Sequence, residues 1–239
     1  MTSAGKLYLI PAPLGEGSPE TVIPVGTLDL LRTIRHFAVE EIRTARRYLS
    51  RVNMGVAIDN LAFFELNEHT PATQDISAYL QPALDGLPVG LLSEAGVPAV
   101  ADPGARLVLL AHEKGVEVSP LTGPSSILLA LMASGLNGQH FAFAGYLPVK
   151  PQERQQHLRL LEKRSAAQHE TQIFIETPYR NEALWRDILA TCHPHTLLCV
   201  AANLTQPDAF VQTAAIGEWR QRPTPTLKKK PCVFLILAA

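Results

Sequence analysis

The sequence predicts an α/β fold in two domains, with a mostly parallel sheet in the N-terminal domain, a mixed sheet in the C-terminal domain and an interdomain cleft. Three observations carry this. In the first half, short apolar runs alternate with helical periodicity, the pattern of stacked βαβ units. A Pro-rich polar stretch, GYLPVKPQER (145–154), then interrupts the pattern and a long polar helix restarts it, which divides the chain into domains 1–146 and 147–239. Beyond that point strand-like runs follow one another with fewer helices between them, as in a mixed sheet.

KLYLIPA (6–12) reads as a buried strand that ends in a Pro/Gly loop. Gly26–Arg35 is an expected helix, His36–Glu40 a strand, Arg43–Val52 a helix and Ala57–Leu66 an extended segment. Thr73–Asp85 is expected as a helix that Gly86 ends, and Pro88–Leu92 as a strand running into SEAGVPAVADPG. Asp102 is a good N-cap with Pro103 at the first helical position, where its missing N–H costs nothing, and Gly115 supplies the stop. Val116–Leu121 is the next strand, followed by TGPSS and a Ser-capped helix at Ile127–Ser134. The second half predicts helices at Glu153–Glu162 and Tyr179–Thr191. Its strands are Thr171–Glu176, Thr196–Ala202, Phe210–Ile216 and Cys232–Leu237.

A chain of 239 residues buries roughly 70–75% of its unfolded surface and needs no disulfide or metal staple. With 46% hydrophobic and 18% charged residues, it is neither a disordered tail nor a coiled coil. A net charge of −1 excludes a globally basic nucleic-acid binder but leaves room for a local basic face. Cys192, Cys199 and Cys232 are odd in number and lack a C-x-x-C, so neither a disulfide framework nor a four-thiolate zinc site fits, and no metal is expected. The N-terminus carries one Lys and a short apolar run cut by Pro11, unlike a signal peptide. The apolar run Ile127–Ala133 is far shorter than the ~20 residues that span a bilayer. These features predict a soluble, reduced, cytoplasmic protein without membrane contact.

Open α/β sheets bind ligands at the carboxyl ends of their strands. Three such ends run into Gly/Pro loops here: PAPLGEG (11–17), SEAGVPAVADPG (93–104) and LTGPSS (121–126). Loops of this composition bring backbone N–H groups close to a ligand, while Ser125 and Ser126 add hydroxyls at a helix start. The competing reading is ordinary βα turns. Gly15-Glu16-Gly17 lacks the third glycine of a dinucleotide fingerprint, and no P-loop or G-x-S-x-G occurs. His193-Pro194-His195 reads as a solvated loop, because no carboxylate or thiolate flanks it at ligand spacing. Arg43, Arg46, Arg47 and Arg51 fall on one helical face with no acid at i±4 inside the helix, a geometry suited to gripping phosphates. A solvated face bridged to other segments is the alternative. Glu40 and Glu41, at a strand end before this helix, are a candidate acid–base position or a helix-dipole complement.

Seven ordered segments carry a family likeness: PAPLGEG, VEEIR (39–43), SEAGVPAVADPG, PLTGPSS (120–126), FAGYLPVK (143–150), IETPYR (175–180) and ANLTQ (202–206). Together they resemble the tetrapyrrole-methylase-like class of S-adenosylmethionine-dependent methyltransferases. Within it, they are most similar to the branch that methylates a cytidine 2′-hydroxyl of small-subunit ribosomal RNA. The resemblance spans about Lys6 to Ala239 and implies a homodimeric, two-domain tetrapyrrole-methylase-like fold with S-adenosyl-L-methionine in the cleft. It also implies donor contacts from Pro13, Leu14 and Gly15, from Ser93, Glu94, Ala95, Gly96, Val97 and Pro98, and from Ser125 and Ser126. From the second domain it implies contacts by Glu176, Thr177, Ala202 and Asn203. Glu41 and Arg43 take the catalytic strand-end position facing the RNA, with Arg46, Arg47 and Arg51 as substrate contacts.

The chain departs from the wording of the RNA-methylating branch at four places. It has Glu40-Glu41-Ile42-Arg43 for E-D-T-R and Ser93-Glu94-Ala95-Gly96-Val97-Pro98 for S-D-A-G-T-P. Ile175–Arg180 stands for Y-E-S-P-H-R, and Ala202–Gln206 for R-E-L-T-K. The functional expectation is methyl transfer to a ribose 2′-hydroxyl of small-subunit rRNA, with RNA or the small ribosomal subunit as partner. The alternatives are methylation of a tetrapyrrole or other small molecule, and a non-catalytic paralogue that binds the donor or RNA.

Overall fold

The computed structural model describes residues 5–238. The chain divides into two compact units, Met1–Ser125 and Ser126–Ala239. The division thus falls earlier than the break expected after residue 146. The reason is pairing: the segment before the Pro-rich stretch forms a strand of the second sheet, and the helix before it packs on that sheet.

The first unit holds β1 (Lys6–Ile10), α1 (Val25–Leu31), β2 (His36–Val39), α2 (Ile42–Val52), β3 (Ala62–Glu65), α3 (Gln81–Leu84), β4 (Val89–Leu92), α4 (Ala105–Glu113) and β5 (Glu117–Pro120). Its strands lie in the order β3-β2-β4-β1-β5, every pair parallel. The two-residue period of the strands assigns the faces. Ile10, Phe37, Val39 and Leu92 pack under Leu28 and Leu31 of α1 and Tyr48, Leu49 and Val52 of α2. Leu7, Ala38, Val89 and Leu91 pack on the opposite face against Leu80, Ala83 of α3, and Leu107 and Ala111 of α4. Each of the large side chains buried here contributes about 1.5–3 kcal/mol of transfer free energy. Gly90 lets the first layer close, since a Cβ there would stand 2.5 Å from Ile10 Cδ1 and 2.9 Å from Phe37.

This layering positions a site. The chain leaving β1 and β2 passes to helices on one face, while the chain leaving β4 passes to α4 on the other. Beside β4 the outgoing connections therefore diverge and open a crevice at the carboxyl ends of β1, β2 and β4.

Three local expectations are corrected. The segment 73–85 is not one helix: a 3₁₀ turn at Ser77–Leu80 leads into the short α3, with Pro82 in its first turn and the Asp75 carboxylate accepting the Ser77 N–H. The segment 57–66 is not extended throughout, because a 3₁₀ turn at Ile58–Asn60 precedes β3. Asp102 and Pro103 do not open α4. Gly104 does, at φ +131°, where a Cβ would meet Leu91 Cδ2 at 2.8 Å, so the backbone turns into the helix only at a residue without one.

The second unit holds α5 (Ser126–Ser134), β6 (Phe141–Tyr146), α6 (Pro151–Gln168), β7 (Thr171–Glu176), α7 (Asn181–Thr191), β8 (Leu197–Ala202), β9 (Phe210–Ala215), α8 (Ile216–Trp219) and β10 (Cys232–Leu237). Its sheet is mixed: β6 and β7 run parallel, and β7-β10-β8-β9 pair antiparallel. The α6 helix runs on past the expected Glu162 and ends where His169 turns left-handed at φ 50°. Arg154 of α6 is buried against Asp187 of α7, donating from Nε at 2.6 Å, which locks the two helices side by side. One side of the sheet is filled by Phe174, Phe234, Trp185 and Trp219, the tryptophans meeting edge to face at 5.2 Å. The Cys192, Cys199 and Cys232 thiols are free and buried; burial pushes Cys192 and Cys232 up to about 12, so they act as small apolar fillers. Among the described residues no helix is long and apolar enough to cross a membrane.

Candidate active site

Three loops of the first unit converge on the crevice. Ala12 and Gly96 exchange backbone hydrogen bonds at 2.8 and 3.0 Å, tying the loop after β1 to the loop after β4. Gly123, in the loop after β5, packs so closely on Pro11 that a Cβ would lie 2.2 Å from its ring. Gly96 sits at φ +74° with Leu14 and the Pro124 carbonyl as its neighbours, so Leu14, Gly96 and Pro124 share one wall. The N–H groups of Leu14, Gly15, Ala95 and Val97 make no hydrogen bond among the described residues, which leaves these donors open to a ligand. The loop after β4 is also strained: Ala99 and Ala101 hold left-handed backbone at φ 64° and 63°, each at a cost of about 1–3 kcal/mol.

Carboxylates line the β2–β4 side. Glu40 Oε2 accepts the Glu94 N–H at 3.1 Å, and Glu94 in turn accepts the Thr44 hydroxyl at 3.1 Å. Burial raises the pKa of Glu40 above its ordinary value, and the charges of Asp102, Glu94 and Glu68 add to that, while the Glu94 N–H opposes it. Burial raises Asp102 as well; the neighbouring Ser93 hydroxyl partly offsets this. Ser93 itself is buried at the end of β4, its Oγ close to Asp102 without reaching hydrogen-bond geometry.

Glu41 lies in a different environment. It is the N-cap of α2, with its carboxylate accepting the Arg43 N–H at 2.9 Å, the Thr44 N–H at 2.6 Å and the Thr44 hydroxyl at 2.8 Å. The Thr44 hydroxyl, then the Arg43 N–H, hold its pKa below the ordinary value. Of the two readings open for Glu41, the geometry shows the helix cap; both oxygens are committed to α2.

The arginine helix is likewise resolved residue by residue. Arg46 pairs with Asp59 and lies over the Phe63 ring at 5.9 Å, so it is part of the structure. Arg51 donates to the Gly17 carbonyl at 3.2 Å. Arg43 and Arg47 form no ion pair or side-chain hydrogen bond with another side chain among the described residues, and both are exposed. A groove of about 560 Å³ runs along Glu41, Arg43, Arg46, Arg47 and Ser50, and a second of about 750 Å³ follows Gly17, Thr44, Arg47 and Arg51. Arg47 therefore borders both. Tyr48, on the buried face of α2, donates its hydroxyl to the Pro11 carbonyl at 2.9 Å and so fixes this helix to the loop after β1.

In the second unit, Glu176 ends β7. Its Oε1 receives the Thr177 N–H at 2.7 Å and Arg180 at 2.6 and 2.9 Å, whereas its buried Oε2 has no partner. Ala202 ends β8 with its side chain in the core, so only its backbone is available. Asn203 follows at φ 54°, its N–H on the Pro231 carbonyl and its amide on Asp208. Ser125 closes the first unit, and Ser126 opens α5. Among the described residues no cluster of three or more His, Cys, Asp or Glu could hold a metal ion.

A parallel sheet whose Gly/Pro loops leave N–H groups unpaired at its strand ends, followed by a mixed α/β unit, is an architecture suited to holding a small polar ligand. The comparisons with known proteins name the class. The chain belongs to the Tetrapyrrole (Corrin/Porphyrin) Methylases, whose family model matches residues 6–219, and is thereby an S-adenosylmethionine-dependent methyltransferase. It is 32% identical over 212 residues to "Ribosomal RNA small subunit methyltransferase I" of Vibrio cholerae, covering 89% of this chain and 69% of that protein. The protein of the same name from Escherichia coli O157:H7 is 31% identical over 216 residues, covering 90% and 71%. Among solved structures, the methyltransferase CobJ matches with a TM-score of 0.63 at 18% identity, over 98% of this chain and 95% of that one. Uroporphyrin-III-C-methyltransferase from Thermus thermophilus matches with a TM-score of 0.55 at 18% identity, over 98% and 92%. These structural likenesses establish the fold.

Proposed function

We propose that the chain methylates a ribose 2′-hydroxyl of small-subunit ribosomal RNA, using S-adenosyl-L-methionine held by the loops after β1 and β4. The observation that carries the RNA reading is the pair of unengaged guanidiniums, Arg43 and Arg47, on grooves beside that crevice. The names of the relatives point the same way. The fit to the donor rests on groups of the first unit that lack partners: the N–H groups of Leu14, Gly15, Ala95 and Val97 and the Ser93 hydroxyl. In this reading Pro13, Glu94, Pro98, Ser125, Ser126, Thr177, Ala202 and Asn203 complete the donor contacts. A homodimer in the cytoplasm accords with the family resemblance.

The donor supplies a methyl group already activated on a sulfonium, so the chain's task is alignment and exclusion of water. The Ala12–Gly96 pairing and the packing of Gly123 on Pro11 hold the loops in a fixed wall. Glu41 orients the acceptor indirectly, by capping α2 and setting the direction of Arg43, which grips a phosphate next to the target ribose. Arg47 and Arg51 extend that grip, and Arg46 stiffens the helix through Asp59.

The test is transfer of labelled methyl from S-adenosyl-L-methionine to small ribosomal subunits, followed by alkaline hydrolysis of the RNA. Label retained in an alkali-resistant dinucleotide supports a 2′-O-methyl product. Label absent from the RNA, or found on a base, overturns the reading.

A further inference from the structure

We infer that Glu40, rather than its neighbour Glu41, is the catalytic carboxylate that accepts the proton of the acceptor hydroxyl; the inference deepens the proposed function and rests on it. Glu40 follows β2 directly, its N–H on the Leu92 carbonyl at the end of β4, on the crevice where the connections diverge. One of its oxygens is fixed by the Glu94 N–H, which sets the plane of the carboxylate. The other makes no hydrogen bond among the described residues, so its lone pairs remain for an incoming O–H. Glu41, one residue on, has both oxygens bound to the first turn of α2.

The groups facing Glu40 are all acidic: Glu94 and Asp102 from the loop after β4, and Glu68 from the loop after β3. No basic side chain pairs with it among the described residues. Two adjacent glutamates are thus pushed apart, one held ionised by its cap and one made more basic by burial and like charge. That divergence is how a fold separates a proton acceptor from a structural carboxylate. The buried Ser93 hydroxyl lies beside Asp102 and adds a polar group next to the carboxylates that face Glu40. In the reacting step the acceptor oxygen bonds the methyl carbon as the carbon–sulfur bond breaks. The bonding pair stays on sulfur to give the thioether, and the hydroxyl proton passes to Glu40 and then to water.

The test compares wild type with Glu40→Gln and Glu40→Asp on small ribosomal subunits. Donor binding by calorimetry and the titration of ¹³C-labelled glutamate carboxyls by NMR serve as readouts independent of turnover. A Glu40 resonance titrating above the ordinary glutamate range is expected. Donor affinity in Glu40→Gln should stay within threefold of wild type, with kcat reduced at least 100-fold, loss of the acid limb of the kcat–pH profile, and partial recovery in Glu40→Asp. Glu40→Gln turnover within threefold of an active wild type overturns the inference and leaves the proposed function standing. A wild type inactive on the subunits overturns both.

Discussion

The carboxylate of Glu41 accepts the backbone N–H of Thr44 at 2.6 Å and so serves as the N-cap of the arginine helix. Replacing Glu41 with Ala removes the cap and is predicted to cost about 1 kcal/mol, whereas Glu41→Gln, which can still accept one N–H, costs less. The pH dependence follows from the sign. A carboxylate whose folded-state pKa is lowered contributes stability that is complete above the ordinary value of 4.5 and is lost as the pH falls through the folded-state pKa. Chemical denaturation at pH 7 and pH 3 checks this: the gap between wild type and Glu41→Ala should narrow at the lower pH.

Tyr48 ties the same helix to the loop that carries Pro13 and Leu14. Tyr48→Phe keeps the packing but leaves the buried Pro11 carbonyl without its donor, at a predicted cost of about 1–3 kcal/mol. Because Pro11 also packs on Gly123, the variant should weaken donor binding as well as lower the Tm. Calorimetry and thermal unfolding of the same preparation test both halves.

The arginines should differ in what they do. Removing Arg43 and Arg47 together is predicted to lower RNA affinity and to reduce the slope of log K against log salt by about 0.7–0.9 for each phosphate no longer neutralised. Arg46→Ala should act mainly on stability, because its guanidinium is engaged with Asp59 and Phe63. Filter binding across a salt series separates the two; equal salt slopes for wild type and the Arg43/Arg47 variant would make this face a solvated one.

Glu40 and Asp102 carry the opposite sign from Glu41. Each has a folded-state pKa raised chiefly by burial, so ionisation destabilises the fold and stability falls as the pH rises through the window above the ordinary carboxylate value. Glu40→Gln is therefore predicted to raise the Tm at pH 7, with the gain shrinking toward pH 4. A residue kept at a cost in stability is what a functional carboxylate requires.

The order of elements was legible in the sequence because the central strands of the first half, β2 and β4, are short apolar runs buried on both faces. Phe37, Ala38 and Val39 face alternate helix layers. The Gly/Pro loops were legible because close packing there leaves no room for a side chain: a Cβ would stand 2.8 Å from Leu91 at Gly104 and 2.2 Å from Pro11 at Gly123. What the sequence hid was tertiary. Asp59 neutralises Arg46 from a 3₁₀ turn outside the helix, so a search for acids within four residues misses it. Asp102 reads as a helix cap from its neighbours, yet the left-handed Ala99 and Ala101 turn it back beside Ser93. Glu40 and Glu41 are indistinguishable as letters; the start of α2 between them and Thr44 decides which one is spent on the backbone.

Everything proposed for this chain depends on the loops after β1 and β4 holding the methyl donor, and calorimetric titration with S-adenosyl-L-methionine and S-adenosylhomocysteine tests that directly. Saturable one-site binding to the wild type is expected. Gly96→Ala, whose Cβ would stand 3.3 Å from Leu14 on left-handed backbone, should bind at least about tenfold more weakly. Absence of binding at millimolar ligand, or equal affinity in Gly96→Ala, would contradict a donor site at these loops.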